Sequence, residues 1–263
     1  MRGLLTLALA CVAAPQPALA QPRAPNVMSS FAIDHTLPAH AAPGFFQRSD
    51  IAFTVLSVTA VAVAGHNDQW LRGRARTADS RSYRDLARGV RLLGDIRWVA
   101  PTLLAGYGLA RALHEPELAS GFTEVGLSVI VVGVETIVVK GVVVRARPED
   151  SPTDSRSFSP FSGDTSFPSG HAAVAFALAE SINRTSGSAW APFATYPAAA
   201  LVAWSRVRDD KHWTSDVLAG AALGVWTARK VHRMWPAEHR LLSRIGLTVC
   251  MPGGAPGLGL TLR

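Results

Sequence analysis

The sequence predicts an all-α protein: a bundle of about six helices followed by a short Gly-rich, β-like tail. Three observations predict it. Six apolar segments dominated by Ala, Leu and Val follow one another, namely Ile51–Gly65, Trp98–Leu113, Val125–Val144, Ala172–Ile182, Trp190–Trp204 and Val217–Ala228. Each reads as a helix. Val125–Val144 is Val-rich enough to be ambiguous by composition, but its length, about 20 residues, argues against a strand. A Ser-, Pro-, Asp- and Gly-rich stretch, Ser151–Phe167, breaks the series as a loop. The tail IGLTVCMPGGAPGLGLTLR reads as two short strands around a Pro-Gly turn. No internal repeat is present.

The elements fall in order along a chain of 263 residues, a length that suits one domain with a short appendage. Residues 1–20 read as a secretory signal: a basic MRG, the apolar LLTLALACVAA, and a small-x-small cleavage pattern at Ala18-Leu19-Ala20. Residues 21–47 form a Pro-, Ala- and Ser-rich extended lead-in, residues 48–244 the helical domain, and residues 245–263 the tail. The Arg-rich loop between His66 and Arg97 contains a candidate amphipathic helix, Ser82–Leu93. Cleavage would remove Cys11 and leave Cys250 alone, so the mature chain has no internal disulfide.

Hydrophobic residues make up 48% of the chain. The mean hydropathy of +0.19 is high for a soluble protein and low for a polytopic membrane protein. The net charge of +7 suits an anionic membrane surface or a phosphorylated substrate. Nucleic acid is not an expected partner, since no recognisable motif for it is present. None of the six segments is a clean apolar run of the roughly 18 residues a span needs, and Glu135 and Lys140 interrupt the longest. Six spans from an exported N-terminus would also place the ends of segments one, three and five in the cytoplasm. The expectation is therefore a periplasmic bundle, soluble or resting on the membrane, with Arg72 to Arg97 suited to an anionic surface.

The stretch SFPSGHAAVAFALA, Ser166 to Ala179, places a titratable His171 at the very start of an apolar helix. Two further stretches stand out: Lys140, six residues, then Arg147-Pro148; and Ser205-Arg206, five residues, His212, three residues, Asp216. Singly, each has a bland reading as a basic helix end, an ordinary Pro-Ser helix start, or a surface i,i+4 pair. In an up-down bundle, however, the ends of segments three and five lie beside the starts of four and six. All three stretches then converge on one end.

That end can hold a tetrahedral polyanion. Two guanidiniums and an ammonium would surround it. The helix start at Ser169-Gly170 offers free backbone N–H groups, and Gly170 lets the backbone come close. One turn apart, His212 and Asp216 share a face, so Asp216 can hold one ring nitrogen protonated and leave the other as a nucleophile. His171 can protonate a leaving oxygen. This is phosphoryl transfer through a phosphohistidine, with cations supplying the stabilisation that metal ions supply elsewhere.

The set K-x6-RP, PSGH and SR-x5-H-x3-D resembles the signature of the type 2 phosphatidic acid phosphatase (PAP2) superfamily, which also contains bacterial acid phosphatases and vanadium haloperoxidases. The resemblance covers Lys140 to Asp216 in motifs. It implies a six-helix bundle of that type and a hydrolase of phosphomonoesters, lipid phosphates such as phosphatidic acid among them. It implies His212 as nucleophile, Asp216 as its partner and His171 as general acid, with Lys140, Arg147, Ser169, Gly170, Arg206 and Ser205 binding phosphate. No cofactor is implied; vanadate or phosphate would bind as a site ligand. Alternatives are a vanadate-dependent haloperoxidase using the same cage, although such enzymes are generally much longer, and a broad-specificity periplasmic phosphatase on soluble esters.

Other polar residues are weaker candidates. His232 and His239 lack metal-ligand spacing, and His35, His40 and His66 read as loop residues. Asp209 and Asp210 read as solvated loop charges, Trp204 and Trp213 as packing around the site, and Glu135 as a polar group facing the bundle interior.

Overall fold

The computed structural model describes residues 46–77, 80–158, 165–250 and 257–262. The expected signal segment, nearly all of the lead-in, and Cys11, His35 and His40 lie outside these residues.

Each expected helix is present and longer than its apolar stretch, because polar and capping residues extend it. Helix α1 (Arg48–Arg76) begins at Gln47, whose N–H donates to Asp50 Oδ2 at 2.9 Å in a capping box. Helix α2 (Arg81–Val90) is the amphipathic helix, capped by Ser80 Oγ accepting the Tyr83 N–H at 3.3 Å. It continues as a 3₁₀ turn, Arg91–Gly94. Asp95 then caps α3 (Ile96–Ala112). Helix α4 (Pro116–Val143) starts with Pro at its first position, where the missing N–H costs nothing. It ends at Val144, a β-branched residue at φ 42°; the left-handed conformation there costs on the order of 1–3 kcal/mol and turns the chain into the loop before α5. Helix α5 (Gly170–Ser186) closes on Gly187 at φ 60°. Helices α6 (Ala191–Arg208) and α7 (Thr214–Arg244) follow. The tail forms the expected strand pair, β1 (Ile245–Cys250) antiparallel to β2 (Gly257–Leu262).

Helix α5 is the axis of the bundle. Its alanines at 172, 173, 175, 177 and 179 are buried and leave little side-chain bulk between it and its neighbours. One core cluster joins Ala173, Val174 and Ala177 to Val99 of α3 and Val129 and Val132 of α4. A second joins Ala175 and Ala179 to Ala199 and Val202 of α6. A third joins Ala172 to Val207 and Val217. Against α7 the approach is closest. A Cβ on Gly220 would stand 2.4 Å from the Ser169 carbonyl oxygen, and one on Gly224 would stand 2.3 Å from that of Ala173. Only glycine permits this spacing, the same device that lets membrane helices meet backbone to backbone.

The expectation that no segment is a clean span is corrected here. Helices α1 and α4, 29 and 28 residues long, each contain an 18-residue stretch apolar enough to cross a membrane. At about 1.5 Å per residue either exceeds a hydrocarbon core of about 30 Å. Glu135 does not interrupt α4 as expected, because its carboxylate accepts from Thr227 Oγ1 of α7. The outward row of α4, Ile130, Val134, Ile137, Val138 and Val142, is exposed, Val142 to 78%.

Candidate active site

The three stretches meet at one end of the bundle, as the up-down order requires, and backbone hydrogen bonds lock them together. The Ser169 N–H donates to the Asp216 carbonyl at 3.0 Å, and the Ser166 N–H to the Arg145 carbonyl at 3.0 Å. A tight turn after α6 brings the His212 N–H to the Arg206 carbonyl at 3.2 Å. From α4, the Lys140 ammonium donates to the Thr165 carbonyl. Beyond it, Arg147 Nη2 donates to Thr165 Oγ1 at 3.3 Å.

His212 is buried, and its ring is held by one edge. Nδ1 lies 2.8 Å from the Ser166 carbonyl oxygen and 3.8 Å from Asp216 Oδ2. A carbonyl only accepts, so Nδ1 carries the hydrogen and Nε2 keeps its lone pair. The sequence reading had Asp216 alone orienting this ring. In the structure the Ser166 carbonyl makes the direct bond, and Asp216 stands just behind it. Burial pushes the His212 pKa down, the nearby Lys140 and Arg206 charges push it further, and Asp216 opposes them. The ring is neutral at neutral pH.

Asp216 is fully buried and accepts from three donors. It accepts from the Trp213 N–H at 2.8 Å, closing the first turn of α7, and from Arg145 Nη1 at 2.6 Å. Ser166 Oγ also donates to it. Burial alone would raise its pKa; His212 and the Arg145 charge outweigh burial and leave it lowered. A carboxylate at a helix N-terminus is favoured by the macrodipole as well.

His171 sits in the first turn of α5, with its ring half-buried. Its Nε2 lies 4.0 Å from Asp95 Oδ2. Burial lowers its pKa to about 4, helped by the nearby Arg206, His212 and Arg91 and opposed by Asp95. Ser169, the N-cap, makes no capping bond. Its Oγ and Arg206 Nε are buried without a hydrogen-bond partner among the described residues. Buried polar atoms are normally paired, and these two border the cage predicted for an anion. Gly170 meets little protein: a Cβ there would touch only the Thr136 methyl at 3.6 Å. Ser205 does not join the cage through its proton, because its Oγ donates to the Val202 carbonyl at 2.7 Å within its own helix.

The structure also adds residues the sequence did not single out. Arg145, buried at 4% exposure, bridges three elements. Its Nη2 donates to Asp68 Oδ2 of α1 at 2.8 Å and its Nη1 to Asp216 and to Ser215 Oγ at 2.6 and 2.7 Å. Asp68 in turn accepts the Ser215 N–H at 2.9 Å, capping α7 from another helix. The only sequence signal for Arg145 was its place two residues before Arg147; Asp68 had none. Trp213 is fully buried, its Nε1–H donates to the Ala146 carbonyl at 3.0 Å, and the Arg145 guanidinium lies 5.5 Å from its ring centroid. Trp204 packs edge-on against Tyr83 of α2, centroids 6.1 Å apart. The pair Asp209 and Asp210 is less solvated than expected: Asp210 binds Arg72 at 2.7 Å and Arg76 at 3.1 Å, while Asp209 lies 3.4 Å from Arg208. His232 pairs with Glu124 at 2.8 Å, and His66 Nδ1 lies 3.5 Å from Arg156.

A helical bundle whose central helix starts at a cationic, two-histidine cage defines the class. Residues 121–240 match the PAP2 superfamily model. A solved transmembrane PAP2-type phosphatidylglycerolphosphate phosphatase from Bacillus subtilis shares the fold, with a TM-score of 0.52 at 18% identity, over 73% of this chain and 96% of that one. The lipid A 1-phosphatase of Porphyromonas gingivalis is 45% identical over 62 residues, which are 23% of this chain and 14% of that protein.

Proposed function

We propose that this chain is a membrane-embedded phosphatase that hydrolyses lipid phosphomonoesters through a phosphohistidine on His212, without a metal. The observation that carries the reading is the juxtaposition at one bundle end of a neutral His212 with a free Nε2, His171, and the Lys140, Arg147 and Arg206 cations. In the first step the Nε2 lone pair attacks phosphorus, the bond to the leaving oxygen breaks, and His171 gives that oxygen a proton. In the second, His171 takes a proton from water, the water oxygen attacks phosphorus, and the P–N bond breaks. Lys140, Arg147, Arg206, Ser169 Oγ and the first N–H groups of α5 hold the three equatorial oxygens.

Two relatives named for lipid phosphates, and the apolar outer rows of α1 and α4, support a lipid substrate and a place in the inner membrane. The soluble or surface-resting bundle expected from the segment lengths gives way to a membrane-embedded one. The test is phosphate release by the full chain in detergent, with chelator present, on phosphatidate and on a soluble aryl phosphate. Release from phosphatidate, lost in His212→Ala, is the expected result. Release from neither ester would sink the reading, and equal kcat/KM on both would make the enzyme a broad-specificity phosphatase. Vanadate, which takes His212 Nε2 as a ligand in the same cage, should inhibit competitively with substrate.

A further inference from the structure

Asp95 caps α3, but its surroundings exceed what a cap needs. It is 6% exposed. Its carboxylate accepts the Arg97 N–H at 3.0 Å and is gripped by the same residue's side chain, Nε to Oδ1 at 3.0 Å and Nη2 to Oδ2 at 2.6 Å. These bonds leave the carboxylate one orientation, with Oδ2 facing His171 Nε2 at 4.0 Å. The residue before it is locked to the same partner. A Cβ on Gly94 would stand 2.5 Å from the His171 carbonyl oxygen and 2.8 Å from Val202 Cγ1. The 3₁₀ turn is therefore seated on the backbone of His171, and Asp95 is presented to the ring from a fixed base.

We propose that Asp95 is the positioning residue for His171: its carboxylate holds Nε2 protonated and so makes Nδ1 the nitrogen that exchanges the proton. This rests on the general-acid reading of His171 above. The protonated ring gives its Nδ1 proton to the leaving oxygen as the P–O bond breaks, remains neutral with Nε2–H toward Asp95, and regains a proton at Nδ1 from the attacking water. Catalytic hydrogen bonds commonly run long in the free enzyme and tighten in the complex with substrate. The charges around the ring make the carboxylate necessary. Arg206 from α6, His212 from the turn before α7, and Arg91 from the 3₁₀ turn all disfavour a proton on His171, and Asp95 favours one. Lys140 of α4 and Asp216 of α7 act on His212 instead. The Arg97 side chain holds the Asp95 carboxyl down to about 2, so Asp95 stays ionised beside the ring.

Asp95→Asn separates this role from capping, since Asn caps a helix as well as Asp does. An unchanged Tm in detergent is expected. So is a kcat loss of about tenfold or more on an alkyl phosphate beside about twofold or less on an aryl phosphate, because general-acid assistance matters most for a basic leaving oxygen. The alkaline limb of the pH–rate profile should move to lower pH. On the alkyl ester, Asp95→Asn/His171→Ala should be no slower than His171→Ala alone, since Asp95 acts only through that ring. Full activity in Asp95→Asn, equal losses on both esters, or additive losses in the double variant would each overturn the proposal with the His171 reading intact. A His171→Ala loss equal on both esters would instead remove that reading, and this proposal with it.

Discussion

His171 and His212 are both neutral at neutral pH because burial and neighbouring cations disfavour the imidazolium. For His171 the folded-state pKa of about 4 lies below the ordinary histidine value of 6.5. The unfolded chain therefore binds more protons than the folded one between those values, and stability rises with pH across that window. Tm should fall on going from pH 7 to pH 5, and His171→Ala should flatten that fall. A bound phosphate adds negative charge beside the ring, so its protection should grow toward pH 5; a pH-independent phosphate effect would place the anion elsewhere. Two arginines two residues apart should behave differently. Arg145→Ala strands Asp68 and Asp216 together in the interior, and removing one partner of a buried ion pair costs about 3–5 kcal/mol. Its Tm should drop steeply. Arg147 is half-exposed, with Glu149 at 3.6 Å, so Arg147→Ala should leave Tm nearly unchanged and lower kcat/KM. Similar Tm values for the two variants would contradict the buried network.

At the scale of elements, the site is held by how closely α5 meets α7. Gly220→Ala drives a methyl into the Ser169 carbonyl, which cannot move without moving the catalytic helix start. Overpacking of this kind costs about 1–3 kcal/mol, so both Tm and kcat should fall. Gly170→Ala meets only a methyl at ordinary contact distance, so its Tm should hold. A loss of activity in that variant would then report on the approach of the anion rather than on the fold. The helices themselves were legible in the sequence, and apolar runs with Pro, Gly and Ser punctuation mark the extents of α3, α5 and α6 to within about a turn. The true ends of α1 and α7 were not, because both continue into charged stretches whose partners come from other helices. Lys230 and Arg233 of α7, for example, bind Asp50 of α1 at 2.7 and 2.6 Å.

For the whole molecule, the decisive property is which faces stay uncovered. Ile137 of α4 is 71% exposed. In a bilayer, Ile137→Arg places a charge at hydrocarbon depth at a cost of about 2.5–3.5 kcal/mol on insertion scales, so the yield of membrane-inserted protein should fall. In a soluble bundle the same change would improve solubility. Alkaline carbonate extraction of wild type should leave the chain with the membranes, and its release to the supernatant would restore the surface-resting bundle. A clean 18-residue rule missed this because it counted Glu135 as a break, without the Thr227 hydroxyl that satisfies it.

By itself, the sequence determined the class of fold, the order of the helices and which stretches meet at one end of the bundle. Those depend on periodicity, on punctuation and on fixed spacings within single segments. Only the tertiary structure decided that the Ser166 carbonyl makes the direct bond to His212, that the Ser205 hydroxyl turns back on its own helix, and that Arg145 and Asp68 join Asp216 in one buried network. The physical reason is common to all three. A buried polar group takes whichever partner the packing brings within about 3 Å, and those partners sit on helices far apart in the chain.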